Sequence, residues 1–222
     1  MTLPGSFLPA AERFHLMARI DTWVLHQVLE MLEADAIELE CIDTISVNLS
    51  GQSIGDRAFH RDLIRMLRET RFDNKKLCFD ITETAAITNL GDAKAFFEEV
   101  RALGVSIALD DFGAGASSFS YLGMLPIDYL KIDRQYITGL DAPLNNAAVR
   151  FFCEVAKVVG AKTIAGCVER SDIRDALHAI GVDMAQGSLI HDPEPLAALL
   201  PYRVRSTSSK QLNLVRSPRA GS

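Results

Sequence analysis

The chain has 222 residues, of which 48% are hydrophobic and 7% are aromatic, so it can bury a sizeable core and is not intrinsically disordered. Its formal net charge of −6 excludes a general electrostatic attraction for nucleic acid. The sequence contains neither an apolar run of the ~20 residues that span a membrane nor a secretory signal pattern. Its four cysteines form no CxxC pair, which indicates reduced core thiols. We therefore expect a cytoplasmic protein that neither spans a membrane nor binds nucleic acid.

Segments with apolar residues at a spacing of three or four alternate with short apolar runs, which predicts alternating helices and strands. In chain order we expect a helix over 9–34, a strand over 44–50, a helix over 57–70, a strand over 77–83, a helix over 91–103, strands over 105–113 and 129–134, a helix over 143–159, a strand over 162–169, a helix over 171–180, a strand over 183–190 and a helix over 193–200. Asp21 and Ser171 are the expected helix starts, and Gly104, Gly160 and Gly181 are the expected C-terminal caps.

Most of the expected strands lack a strict polar alternation, which is typical of strands buried on both faces of a parallel sheet. Six such strands with helices between them fit either a (β/α) barrel or a doubly wound sheet. We therefore expect one α/β domain over residues 1–200. The segment 201–222 has five Lys or Arg residues and no acid, and we expect it to be a basic, disordered tail.

Polar residues lie at the C-terminal ends of the expected strands. They are Asn48, Asp80, Glu83, Asp110, Asp111, Lys131, Asp133, Glu169 and Gln186. In a parallel barrel these ends meet at one face, where sites are built, although acids near water at strand ends also occur without any function. Carboxylate and amide oxygens suit Mg²⁺ or Mn²⁺, and a cation would offset the repulsion between Asp110 and Asp111. Lys131 would neutralise charge that develops on a phosphate.

Several segments together resemble the EAL-domain family, which comprises bacterial proteins that hydrolyse or bind cyclic di-GMP. The matching segments are FLPAAERF, SVNLS, FDITETA, LGVSIALDDFGAGASSFSYL, LPIDYLKIDR, the VE at 168–169 and AQGSLI, in family order over residues 4–195. The resemblance implies a modified TIM-type (β/α) barrel with its site at the C-terminal ends of the strands. It also implies the Mg²⁺- or Mn²⁺-dependent cleavage of cyclic di-GMP to linear pGpG.

The resemblance further implies roles for individual residues. The implied metal ligands are Asn48, Asp80, Asp110 and Asp111. The implied catalytic residues are Lys131, Asp111 and Glu83, and the implied ligand-binding residues are Gln186 and Glu169. Lys131 resembles the lysine near the phosphate and the attacking water. Glu83 resembles the residue that anchors a mobile loop, which begins here at Phe112.

The chain departs from the family pattern in ways that bear on activity. It has no strand with the eponymous Glu-Ala-Leu, which removes one metal-ligand glutamate and one barrel strand. Asp80 replaces a glutamate, so its carboxylate is withdrawn by about 1.5 Å, whereas a coordination shell tolerates only ~0.2 Å. Gly166 stands where the family has a glutamate required for catalysis, and Ala114 and Ala116 replace a common Thr and Tyr. These changes predict weakened binding of Mg²⁺ or Mn²⁺.

We therefore interpret the chain as a degenerate, non-catalytic EAL domain of bacterial cyclic di-GMP signalling, which acts by binding the nucleotide, a protein partner or both. Two alternatives stay open. A surviving phosphodiesterase is favoured by the intact residues Asn48, Asp110, Asp111, Lys131 and Gln186. A fragment of a longer GGDEF–EAL protein is favoured by the start of the chain just past the absent strand. The resemblance also implies a homodimer through helices near the mobile loop, and this stays open because Ala114 and Ala116 differ from the family there.

Overall fold

The computed structural model describes residues 4–34, 42–115 and 119–195. Its strands are β1 (Ile45–Asn48), β2 (Leu77–Thr82), β3 (Ser106–Phe112), β4 (Tyr129–Ile132), β5 (Lys162–Ala165) and β6 (Met184–Ala185). Its helices are α1 (Pro4–Arg13), α2 (Met17–Ala34), α3 (Gly51–Ile54), α4 (Arg57–Glu69), α5 (Glu83–Thr88), α6 (Leu90–Ala102), α7 (Arg134–Thr138), α8 (Pro143–Val159) and α9 (Ser171–Ile180). Two 3₁₀ segments cover Asn74–Lys76 and Phe119–Met124. No helix in this described part is long and apolar enough to cross a membrane.

The six strands form one parallel sheet in the order in which they occur along the chain. A doubly wound sheet reverses its strand order at a switch point, whereas sequential order is that of a (β/α) barrel. The sheet curls into a half-barrel, and within the described residues β1 and β6 are its two edges. The predicted α/β barrel class is therefore confirmed, and residues 4–34, 42–115 and 119–195 contain fewer strands than a closed barrel needs.

The two faces of the sheet differ in composition because side chains alternate along each strand. The face under the helices carries Val47, Phe79, Leu109, Leu130 and Ala165, all of which are buried. The opposite face, which we call the inner face, carries Ser46, Asn48, Cys78, Asp80, Ala108 and Tyr129. Burial on both faces holds for β2 but is wrong for β1, whose residues alternate between buried and exposed. A half-barrel leaves the inner face at its edge open to water, which accounts for the difference.

The N-terminal helical segment consists of two helices rather than the single helix that the sequence pattern predicts over 9–34. The helix is interrupted between α1 and α2, where His15 adopts a positive φ of 54°. The helix α2 begins at Met17, so the predicted helix start at Asp21 is wrong. Asp21 lies instead on the buried side of α2, one turn before Leu25. Its carboxylate has partners in another element, as described below.

The helices α4 and α6 lie within one residue of their predicted ranges, and α8 and α9 match theirs residue for residue. The short helices α3, α5 and α7 were not predicted. Gly160 and Gly181 end these two helices with left-handed backbone conformations, as predicted. Of the helix predicted over 193–200, residues 193–195 are not helical, and the rest lies outside the described residues. The predicted tail over 201–222 also lies outside them.

Candidate functional site

The register of β1, β2 and β3 brings three predicted site residues to the inner face. Residues directly opposite each other in parallel strands point to the same face, as do residues two apart along one strand. Asn48 is opposite Asp80, and Asp80 is opposite Ala108. Asp110 follows Ala108 by two positions and shares its face. Asn48, Asp80 and Asp110 therefore lie at the C-terminal ends of three neighbouring strands.

The register of β4, β5 and β6 gives the further inner-face positions near the C-terminal ends of the strands. Lys131 is opposite Ile164, and Ile164 is opposite Met184. Gly166 comes two positions after Ile164, just past the end of β5. Gln186 comes two positions after Met184, just past the end of β6. A Cβ added at Gly166 would meet no atom within 4 Å, so a side chain at this position would enter open space. The end of β5 therefore has no functional group at Gly166, whereas the end of β4 carries Lys131 and the end of β6 is followed by Gln186.

Lys131 is the centre of the site's ion pairs. Its Nζ lies 2.8 Å from Oδ2 of Asp80 and 2.7 Å from Oδ2 of Asp110. The exposed fraction of the side chain is 14% for Lys131, 5% for Asp80 and 23% for Asp110. Burial alone would lower the pKa of Lys131, but the charges of the two carboxylates outweigh it and raise the pKa. Burial raises the pKa of Asp80, against the opposing effect of Lys131.

A bulge at the end of β3 brings the second aspartate close to the first. The register between β3 and β4 shifts between Leu109 and Phe112, and Asp111 has a positive φ of 54°. The Asp111 N–H donates to Oδ1 of Asp110 at 2.9 Å. Burial and the neighbouring charges of Asp110 and Asp133 raise the pKa of the Asp111 carboxyl. A bulge of this kind redirects side chains that strict alternation would send to opposite faces.

Glu83 joins the start of α5 to the loop that follows β3. It is a buried carboxylate whose Oε2 accepts the N–H of Gly113 at 2.9 Å and whose Oε1 accepts the hydroxyl of Tyr121 at 2.5 Å. The hydroxyl of Tyr136 donates to the carbonyl of Gly113 at 3.0 Å. Gly113 has a φ of 91°, and an added Cβ would lie 2.9 Å from the rings of Phe152 and Tyr136. Only glycine fits there, so Glu83 holds a tightly packed turn.

The ends of β5 and β6 are joined by backbone hydrogen bonds beyond the sheet. The N–H of Gln186 donates to the carbonyl of Ala165 at 2.8 Å, and the N–H of Val168 donates to the carbonyl of Gln186 at 3.0 Å. A Cβ added to Gly187 would lie 2.3 Å from the backbone of Val168. Glu169 and the side chain of Gln186 are exposed at this end of the sheet. The backbone of Gln186 is therefore fixed, and the side chains of Gln186 and Glu169 are open to solvent.

The site has oxygen donors of the kind that Mg²⁺ or Mn²⁺ prefers. Within residues 4–34, 42–115 and 119–195, however, no group of three acidic, histidine or cysteine side chains is arranged to hold a metal ion. The Lys131 ammonium already lies between Asp80 and Asp110, where a cation would bind both carboxylates. In this arrangement the residues do not fit a divalent cation.

Two features of the site region were missed in the sequence. Tyr121 and Tyr136 hold the Gly113 turn, and no local pattern distinguishes them from core aromatics. Asp21 accepts hydrogen bonds from Ser50 and Ser53, just after β1. Its position on the apolar stripe of α2 was a usable signal, because a charged residue on a buried face needs a polar partner.

The expectation that all four cysteines are core thiols is wrong for Cys167, which is exposed beside Gly166.

Comparisons with known proteins agree with this fold. A family model described as the EAL domain matches residues 1–193. The cyclic di-GMP phosphodiesterase PdeB of Shewanella oneidensis is 38% identical over 196 residues, which are 88% of this chain and 23% of that protein. The cyclic di-GMP phosphodiesterase PdeF of Escherichia coli is 32% identical over 194 residues, or 87% of this chain and 26% of that protein. The chain thus spans about a quarter of the length of these relatives.

Solved structures give the same result. The PaMucR phosphodiesterase in complex with c-di-GMP has a TM-score of 0.81 and 32% identity, over 89% of this chain and 86% of that chain. The FimX EAL domain from Pseudomonas aeruginosa bound to c-di-GMP has a TM-score of 0.78 and 25% identity, over 86% of this chain and 76% of that chain. From the sequential parallel half-barrel, the family match and these likenesses we conclude that this chain belongs to the EAL domain family.

Proposed function

We propose that this EAL domain acts in cyclic di-GMP signalling by binding and does not hydrolyse the nucleotide at a useful rate. The observation that carries the proposal is Gly166, which has no functional group and lies just past the end of β5, two positions after the residue opposite Lys131. In the family this position carries a glutamate that catalysis requires. The loss of one such group commonly costs two or more decades in rate, or about 3 kcal/mol of transition-state stabilisation.

The ion pairs of Lys131 support the same conclusion. A lysine that is bonded to Asp80 and Asp110 is less available to neutralise charge developing on a phosphate. A divalent cation that used Asp80 and Asp110 would have to displace the Lys131 ammonium, which predicts weakened binding of Mg²⁺ or Mn²⁺. The nucleotide phosphates would also compete with two carboxylates for Lys131, so we expect weak affinity for cyclic di-GMP.

The second candidate function is an active phosphodiesterase. It is favoured by relatives that are named cyclic di-GMP phosphodiesterases, at 38% and 32% identity. It is also favoured by the retention of Asn48, Asp110, Asp111 and Lys131 at the C-terminal ends of neighbouring strands. In this case Lys131 would release Asp110 when substrate and metal bind.

One experiment separates the two functions. The full chain is incubated at micromolar concentration with cyclic di-GMP and Mn²⁺, pGpG is measured by chromatography, and binding is measured by isothermal titration. Binding without pGpG supports the proposal. Production of pGpG by the wild type, and its loss in Asp110→Ala, would establish the phosphodiesterase instead. An in-frame Glu-Ala-Leu upstream of Met1 in the coding sequence would make the longer protein the one to assay.

A homodimer has a candidate surface on α8. Leu144, Phe151 and Val158 are 79%, 49% and 87% exposed, and they recur every seven residues along one side of the helix. The ring of Phe151 also packs against Phe119, with centroids 5.4 Å apart, at the start of the segment that follows the loop. Seven-residue spacing of apolar side chains is typical of helix pairing. We propose that α8 pairs with its copy in a second chain.

A further inference from the structure

Asp21 is a buried carboxylate that none of the roles above uses. It is 6% exposed and lies on the same side of α2 as Met17 and Leu25, which are also buried. A carboxylate in such a place is costly unless hydrogen bonds compensate for its lost hydration. Its partners therefore indicate what the residue does.

Both hydrogen bonds of Asp21 go to the turn that follows β1. Its Oδ2 accepts the N–H of Ser50 at 2.8 Å and the hydroxyl of Ser53 at 2.6 Å. Ser50 comes two residues after Asn48, and Ser53 is fully buried. Hydrogen bonds to a charged acceptor are about twice as strong as neutral ones. Asp21 thus connects the outer layer of helices to the C-terminal end of β1.

The end of β1 is held by one neighbouring strand, by the packing of Leu49 and by the Ser50 cap of α3, in addition to Asp21. In the described sheet β1 pairs with β2 alone, and the last bond of that pairing runs from the N–H of Leu49 to the carbonyl of Asp80 at 2.9 Å. The Asn48 side chain is exposed at the inner face. The backbone around Asn48 is therefore fixed on one side by β2 and on the other by Asp21.

We propose that Asp21 is a positioning residue, which holds the turn after β1 and thereby orients the Asn48 amide towards the ligand site. This inference extends the proposed function, and its affinity readout depends on that function. Replacement of residues that orient the ligands of a metal ion typically changes affinity or activity by about 10- to 100-fold, and we take the same scale for the orientation of Asn48. We expect an effect near the lower limit, about tenfold, because Asn48 is one of several polar side chains at the inner face, together with Asp80, Asp110 and Lys131.

The test uses the full chain with Asp21→Ala, Asp21→Asn and a control. Both hydrogen bonds end on one oxygen of Asp21, so the amide oxygen of Asp21→Asn can accept both. The control is Asp56→Ala, which likewise removes two hydrogen bonds to one carboxylate oxygen, here from the backbone N–H groups of Ala58 and Phe59 at the start of α4. That helix carries no proposed site residue. The readouts are the NMR signal of the Asn48 side-chain amide and the affinity for cyclic di-GMP.

We expect Asp21→Ala to shift the Asn48 amide signal and weaken affinity about tenfold, while Asp21→Asn and Asp56→Ala leave both near wild type. An unchanged Asn48 signal in Asp21→Ala, or an equal shift in Asp56→Ala, would overturn the inference. If the wild type binds no cyclic di-GMP, the proposed function fails, but the NMR comparison still decides the role of Asp21. If Asp21→Ala does not fold, Ser53→Ala removes one of the two bonds and takes its place in the NMR comparison.

Discussion

Replacement of Lys131 by methionine tests how strongly the site depends on its central ion pairs. Lys131 is 14% exposed and bonds to Asp80, which is 5% exposed, and to Asp110, which is 23% exposed. Lys131→Met keeps most of the side-chain volume but leaves the Asp80 carboxylate buried without a counter-charge. Removal of one partner from a buried pair costs roughly 3–5 kcal/mol. Because Asp110 can be hydrated in part, we expect about 3 kcal/mol of lost unfolding free energy at neutral pH.

The loss should depend on pH with a definite sign. Burial raises the pKa of Asp80 above its ordinary value of 3.8, and Lys131 opposes that shift. Without Lys131 the pKa of Asp80 in the folded state rises further, so the folded protein binds a proton more readily than the unfolded chain. The destabilisation is then complete above the folded-state pKa and shrinks as the pH falls through it.

Urea unfolding at neutral and acidic pH measures the effect, provided that the slope with denaturant is unchanged. The matched control is Lys157→Met, because Lys157 pairs with Glu154 at 2.7 Å on the exposed face of α8 and should contribute little. The double variant Lys131→Met/Asp80→Asn should recover much of the loss, since the buried charge is then absent. A Lys131→Met protein as stable as the control, or no recovery in the double variant, would refute the reasoning.

Three further changes test other parts of the structure. Gly187→Ala places a Cβ 2.3 Å from the backbone of Val168, so we expect thermal unfolding to show a loss of about 2 kcal/mol in unfolding free energy. The control is Gly166→Ala, which should be near neutral because an added Cβ meets no atom within 4 Å, and equal stability of the two variants would contradict the close approach. Gly166→Glu should not restore turnover by itself, because this chain carries no Glu-Ala-Leu, and pGpG formation by the single variant would disprove this. Phe151→Glu should convert a dimer into a monomer in light scattering, and an unchanged mass would remove α8 as the interface.

Local patterns predicted the secondary structure well where their physical cause is local. The ranges 143–159 and 171–180 match α8 and α9 because apolar spacing and a glycine that adopts a left-handed conformation act within a few residues. The helix predicted over 9–34 was wrong because its apolar spacing continues across the break at His15. Periodicity does not register a single residue with positive φ.

The sequence by itself determined that polar residues end the strands, and that Gly166 leaves one of those ends without a functional group. The pattern of helices and strands left open whether the sheet is a barrel or doubly wound, because strand order depends on contacts between distant segments, and only the family resemblance favoured the barrel. Only the tertiary structure decided that the strands run in sequential order, that Lys131 bonds to both Asp80 and Asp110, and that Asp21 holds the turn after Asn48. Each of these contacts joins residues that lie 21 or more positions apart, and register and packing, rather than local pattern, bring them together.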